Sequence, residues 1–116
     1  MNAPAAPSRV DLVQAQFDAY NAQDLDAYCG FFTDDVIVAD YNGAVTVQGI
    51  AAYRAKYVQV FADFPNNRAG LLARMQIGDT VIDHERVDRG NGAPAFEVGC
   101  IYTFAGDRVA RVDFVK

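Results

Sequence analysis

Imidazole, guanidinium and carboxylate groups crowd into one short stretch, Thr80-Val-Ile-Asp-His-Glu-Arg-Val-Asp88, directly after a Gly78-Asp79 turn. The turn and the alternating β-branched residues predict a strand. Side chains two apart on a strand share a face, so Ile82, His84, Arg86 and Asp88 point one way. Val81, Asp83, Glu85 and Val87 point the other. With charge on both faces, one charged set must lie against protein or line a cavity. Burying an arginine and a carboxylate is costly unless they pair. The face carrying His84, Arg86 and Asp88 suits a catalytic lining, and equally an ion-pair ladder on a sheet surface. We expect the even-numbered set to face the interior.

A second acid, Asp40, ends the apolar run Val36-Ile-Val-Ala, just before the turn signal Asn42-Gly43. In an apolar pocket it would act as a general base with a pKa raised by desolvation. At the turn it would instead cap backbone. His84 can relay protons near neutral pH, although a lone histidine also suits a satisfied core position. Cys100 reads as a small buried hydrophobe rather than a nucleophile.

The elements that must position these groups follow from capping and periodicity. Ser8 with Asp11 marks a helix start, and Val10, Val13, Phe17 and Tyr20 form its apolar stripe. Asn21 to Asp24 breaks this helix. Asp24 caps a short second one carrying Leu25, Tyr28, Cys29 and Phe32, closed by Asp34-Asp35. Val36 to Asp40 and Val45 to Val47 are short strands. Gly49 opens a third helix through about Phe64, with Ile50, Tyr53, Tyr57, Val60, Phe61 and Phe64 on one stripe and Pro65 ending it. Strands then run over Leu71 to Ile77, Thr80 to Arg89, Ala95 to Phe104 and Arg108 to Val115. Phe96, Val98 and Cys100 should face the helices, as should Ala110, Val112 and Phe114. Helices first and a strand meander last make an α+β plan.

At 116 residues the chain suits one domain over 8–116, behind a flexible leader over 1–7. Hydrophobic residues at 52% argue for a packed core. A net charge of −5 argues against a nucleic-acid partner. No apolar run is long enough to span a bilayer. Two cysteines without a paired motif favour a reduced, cytoplasmic setting, and one histidine with no clustered thiols argues against a structural zinc site.

In this order of elements the chain resembles the nuclear transport factor two-like superfamily, which includes SnoaL-like polyketide cyclases, ketosteroid isomerases and limonene epoxide hydrolases. The residues that carry the resemblance are Tyr20-Asn-Ala-Gln-Asp-Leu-Asp26, Phe31-Phe-Thr-Asp-Asp-Val36 and Glu85-Arg-Val-Asp88. It implies a cone-shaped fold, with three N-terminal helices packed in a strongly curved, mixed, mostly antiparallel sheet. By likeness to the isomerases, Asp40 takes the place of the proton-moving carboxylate. Gln16 stands for their oxyanion-hole tyrosine and Cys100 for their protonated aspartate. By likeness to the epoxide hydrolases, Arg86 and Asp88 match an Arg-x-Asp pair, with Asp113 a candidate second acid and Val38 and Asp40 at the water-holding positions. The dehydratase branch uses paired histidines, which this chain lacks.

The resemblance thus implies a cofactor-free, metal-free enzyme doing acid–base, isomerase-like chemistry on an apolar, oxygenated small molecule. Asp40, Arg86 and Asp88 are its catalytic candidates. Gln16, Tyr20, Tyr53, Tyr57, His84, Phe96, Val98 and Cys100 are candidates for the pocket wall. Epoxide hydrolysis by Arg86 and Asp88 is the alternative chemistry, and a non-catalytic binding or dimerisation module the alternative class. A homodimer is expected through an outer sheet face carrying Glu97, Ile101, Thr103, Val109, Arg111 and Asp113.

Overall fold

Each helix begins where its capping residues place it. In the computed structural model, which describes residues 7–116, Ser8 caps α1 (Arg9–Asn21) by accepting from the Asp11 amide while the Asp11 carboxylate accepts from the Ser8 amide. This reciprocal pair satisfies two amides that the first turn leaves without partners. Asp24 caps α2 (Leu25–Cys29) by accepting from the Ala27 amide. Gly49, at a left-handed φ of 86°, turns the chain into α3 (Ile50–Asp63). The expected leader over 1–7 lies outside the described residues apart from Pro7.

Six strands form one sheet: β1 (Phe32–Asp40), β2 (Val45–Gln48), β3 (Arg68–Ile77), β4 (Thr80–Asp88), β5 (Phe96–Ala105) and β6 (Arg108–Val115). Their spatial order is β2-β1-β6-β5-β4-β3, antiparallel throughout except for the parallel pair β1–β6. Register shifts at Val38/Ala39, Leu71/Ala73 and Thr103/Phe104 bend the strands. Such bulges increase local twist, which lets the sheet curl around the helices. The result is the expected α+β cone.

The core sits inside that curl. Val13 and Phe17 from α1 and Tyr53 and Tyr57 from α3 meet Val36, Val38, Val81, Tyr102 and Val112 from the sheet. Each such side chain contributes roughly 1.5–3 kcal/mol by leaving water. Around Tyr28 the rings of Tyr20, Phe32, Tyr53, Tyr57 and Phe61 lie 5.0 to 6.2 Å away, in tilted, stacked and edge-on arrangements.

Three expectations change. β1 starts at Phe32, not Val36, because Phe32 is buried opposite Val109 and extends the sheet past the exposed Asp34 and Asp35. Val109 is 1% exposed rather than on the outer face, because the shift at Thr103/Phe104 reverses alternation at the start of β6. On β4 the odd-numbered positions face inward: Val81, Asp83, Glu85 and Val87 are buried, while His84, Arg86 and Asp88 are exposed. Pairing with β5 sets this parity. Asp83 sits opposite Cys100 and Glu85 opposite Val98, and directly paired residues share a face.

Candidate functional site

Between the helices and the concave face of the sheet lies a cavity of about 250 Å³. α1 supplies Gln16 and Tyr20, α3 supplies Tyr53, Lys56 and Tyr57, and β4 supplies Glu85. β5 adds Phe96, Val98, Cys100 and Tyr102, and β6 adds Phe114. Most of this wall is aromatic or aliphatic, so its few polar groups act in a medium that screens them poorly.

Three of those groups form a chain across the cavity. The Gln16 side-chain amide donates to the Tyr102 hydroxyl at 3.1 Å. That hydroxyl points its own proton at Glu85 Oε2, 3.5 Å away. Glu85 is 6% exposed, and no arginine or lysine forms an ion pair with it. Burial, and then the nearby Asp83 charge, push its carboxyl up to about 7. Burial also raises the neighbouring Cys100 thiol and Tyr102 phenol, so both stay protonated near neutral pH. A carboxyl that exchanges its proton near pH 7, beside a neutral phenol and an amide donor, can take a proton from carbon and stabilise the oxygen that becomes negative.

Asp83 is held differently. It is fully buried, and Arg74 on β3 grips both of its carboxylate oxygens at 2.6 and 2.9 Å. Arg74 also donates to Gln14 Oε1 of α1 at 2.7 Å, which ties the sheet edge to the first helix. This pair is anchored and neutralised, whereas Glu85 is left to titrate.

Deeper in the helix layer, the Tyr28 and Tyr53 hydroxyls share a 2.6 Å hydrogen bond. Burial keeps both well above the ordinary tyrosine range and pushes Tyr57 up to about 12. The Tyr20 hydroxyl accepts from Asn67 at 2.7 Å, and Asn67 in turn accepts from Arg89 at 3.1 Å.

Of the residues chosen from sequence, Gln16, Tyr20, Tyr53, Tyr57, Phe96, Val98 and Cys100 share this cavity. His84 does not. It lies on the outer face, 2.6 Å from Glu97. Arg86 is exposed on that same face, paired across the strands with Glu97. Asp88 accepts from the Gly90 amide and shapes a turn. Asp40 is exposed at the end of β1, in a shallow depression with Tyr41 and Phe114. Asp113 holds Arg111 at 3.1 Å. The three catalytic candidates therefore do not converge, and the epoxide-opening pair lies outside the cavity. Among the described residues no cluster has the composition of a metal site.

Glu85, Tyr102 and Lys56 were passed over. For Glu85 a signal existed: its face of β4 carries two valines, against one isoleucine on the other. The greater apolar content marks the inward side.

No protein of curated function matches the chain significantly. Among solved structures, a cystatin-fold protein of uncharacterised role from Novosphingobium aromaticivorans is 36% identical, with a TM-score of 0.89 over 96% of this chain and 100% of its own. A proposed polyketide cyclase from Sinorhizobium meliloti is 26% identical, with a TM-score of 0.77 over 90% of this chain and 93% of its own. A protein of ketosteroid isomerase-like fold from Catenulispora acidiphila, solved with trimethylamine, shares the fold at 17% identity and a TM-score of 0.74, over 90% of this chain and 83% of its own. The model of the SnoaL-like domain matches residues 13–112, a span that holds all three helices' cavity residues and the Gln16–Tyr102–Glu85 chain, and the protein belongs to that family.

Proposed function

We propose that this protein is a cofactor-free acid–base enzyme that moves a proton on an apolar, oxygenated small molecule, with Glu85 as the base. The observation that carries this reading is a single buried carboxyl, pushed up to about 7, facing an aromatic cavity beside two hydrogen-bond donors. In its ionised form Glu85 removes a proton from carbon next to a carbonyl. Once Glu85 holds that proton it no longer draws the Tyr102 hydroxyl, which turns its own proton to the enolate oxygen beside a Gln16 amide hydrogen. Glu85 then returns the proton at the same or a neighbouring carbon. The polyketide cyclase and ketosteroid isomerase likenesses accord with chemistry of this kind.

The test is hydrogen–deuterium exchange of cyclic ketones in heavy water, followed by NMR. Glu85→Gln keeps the side chain's size and should slow exchange by about 10² to 10⁴. In wild type the rate should rise through about pH 7 as Glu85 ionises, in a setting made by Asp83, Arg74, Cys100, Tyr102 and Gln16. Equal exchange by a folded Glu85→Gln variant would return the protein to the non-catalytic binding modules.

We also propose a homodimer through the outer sheet face. Met75 and Ile77 are 55% and 65% exposed there, beside the His84–Glu97 and Arg111–Asp113 pairs. Two apolar residues flanked by both signs of charge suit a self-complementary contact. A reducing compartment such as the cytoplasm fits two cysteines that are both unpaired. No helix among the described residues is long and apolar enough to cross a membrane.

A further inference from the structure

The mouth of the cavity is cationic. Lys56 from α3, Arg89 just past β4 and Lys116 just past β6 all line it. In a chain with 15 acidic and 10 basic residues, both lysines stand at this opening. The ion pairs formed among the described residues involve other cations, so these three have no carboxylate partner.

Two of the three are also held in position. Lys56 Nζ lies 5.4 Å from the Tyr57 ring centroid and 5.5 Å from that of Phe114. The Arg89 guanidinium carbon lies 4.7 Å from the Phe64 ring centroid and 5.3 Å from that of Phe96, and Arg89 donates to Asn67. Packing on ring faces fixes each charge at the rim of an apolar space. Burial and the repulsion of Lys116 and Arg89 depress the Lys56 ammonium, and Asp40 offsets this only in part. Like charges gathered without a partner leave an attraction for an anion unused.

We propose that the cavity takes a carboxylate-bearing aromatic or alicyclic molecule, its rings against Tyr20, Tyr57 and Val98 and its carboxylate between Lys56 and Arg89. The opposite, carbonyl-bearing end then reaches Gln16, Tyr102 and Glu85. A planar carboxylate matches the forked donors of Arg89, while Lys56 adds a point charge. This ligand class rests on the reading of the cavity as the reaction site.

The experiment compares acids with their neutral carboxamides by calorimetry: benzoate, 2-naphthoate and decalin-2-carboxylate, each against its amide, on the whole chain. At least one acid should bind tenfold or more tightly than its amide. Lys56→Gln and Arg89→Gln should each shrink that preference at least threefold, acid binding weakening by more than amide binding. Arg108→Gln removes a cation far from the mouth and should leave the preference intact. Equal binding of acids and amides, binding by none of them, or a preference that both mouth variants retain would overturn the proposal. The two readings fail separately. If acids show no preference but Glu85→Gln still stops exchange, only the ligand class falls. If the preference holds while Glu85→Gln exchanges normally, the proton-transfer reading falls instead.

Discussion

Glu85 and Asp83 are two residues apart on one strand face, yet their neighbours give them opposite duties. Arg74 grips both carboxylate oxygens of Asp83, while burial, helped by the Asp83 charge, pushes the unpaired Glu85 carboxyl up. The consequence for stability has a definite sign. The folded carboxyl of Glu85 titrates near 7, above its ordinary value of 4.5. Its contribution is thus fully present below about pH 4.5 and is lost as pH rises through about 7. A shift of this size corresponds to about 3 kcal/mol. Glu85→Gln cannot ionise, so its stability should be flatter over that window. Urea unfolding of both proteins at pH 5 and pH 8 checks this, and parallel losses in both would show that Glu85 is not the cause.

Among the elements, β3 and β4 form a hairpin whose inner face carries the Arg74–Asp83 pair beneath α1. Replacing one partner of a buried pair leaves the other charge uncompensated. Arg74→Met should therefore cost about 3 kcal/mol or more, and the double variant Arg74→Met with Asp83→Leu should regain much of it. Chemical denaturation of the two variants measures this, and additive losses would contradict it.

How much of the site was legible in sequence turns on this same hairpin region. Helix starts at Ser8, Asp24 and Gly49 were readable because capping is local chemistry. Phe96, Val98 and Cys100 could be placed because the face they share is almost wholly apolar. The orientation of β4 left only a faint trace in β4 itself, two valines on one face against one isoleucine on the other, since both faces carry charge. It depends on which residue of β5 each position meets across the 89–95 connection, and loop chemistry there does not specify that register. One step of parity exchanged Arg86 and Asp88 for Glu85. Asp40 lies outside the cavity for another reason. The strand ends just where the chain leaves the cone, so its carboxylate reaches the rim and not the interior.

For the whole molecule, the sheet has one face wrapped around the helices and one left open. The open face carries the exposed Met75 and Ile77 and the two surface ion pairs. The proposed homodimer predicts twice the chain mass in sedimentation equilibrium, and Met75→Lys combined with Ile77→Lys should return the monomer. A single-chain mass for wild type across the micromolar range would remove the idea. Cavity binding should survive those two changes, because the residues proposed to hold the ligand all lie on the inner side.

The parallel pairing of β1 with β6 has one more consequence, and it concerns time rather than space. β6 is the sixth strand in sequence but occupies the middle of the sheet, between β1 and β5. The β2-β1 hairpin thus has no neighbour on its inner side until residues 108–115 arrive. Closing a loop of that span is an entropic toll that local contacts cannot defray early. On a ribosome, β3, β4 and β5 can zip as a meander while β1 and the helices wait half-docked. The cavity is bounded by both halves, so it is complete only once β6 is in place, and β6 acts as the keystone that commits the chain.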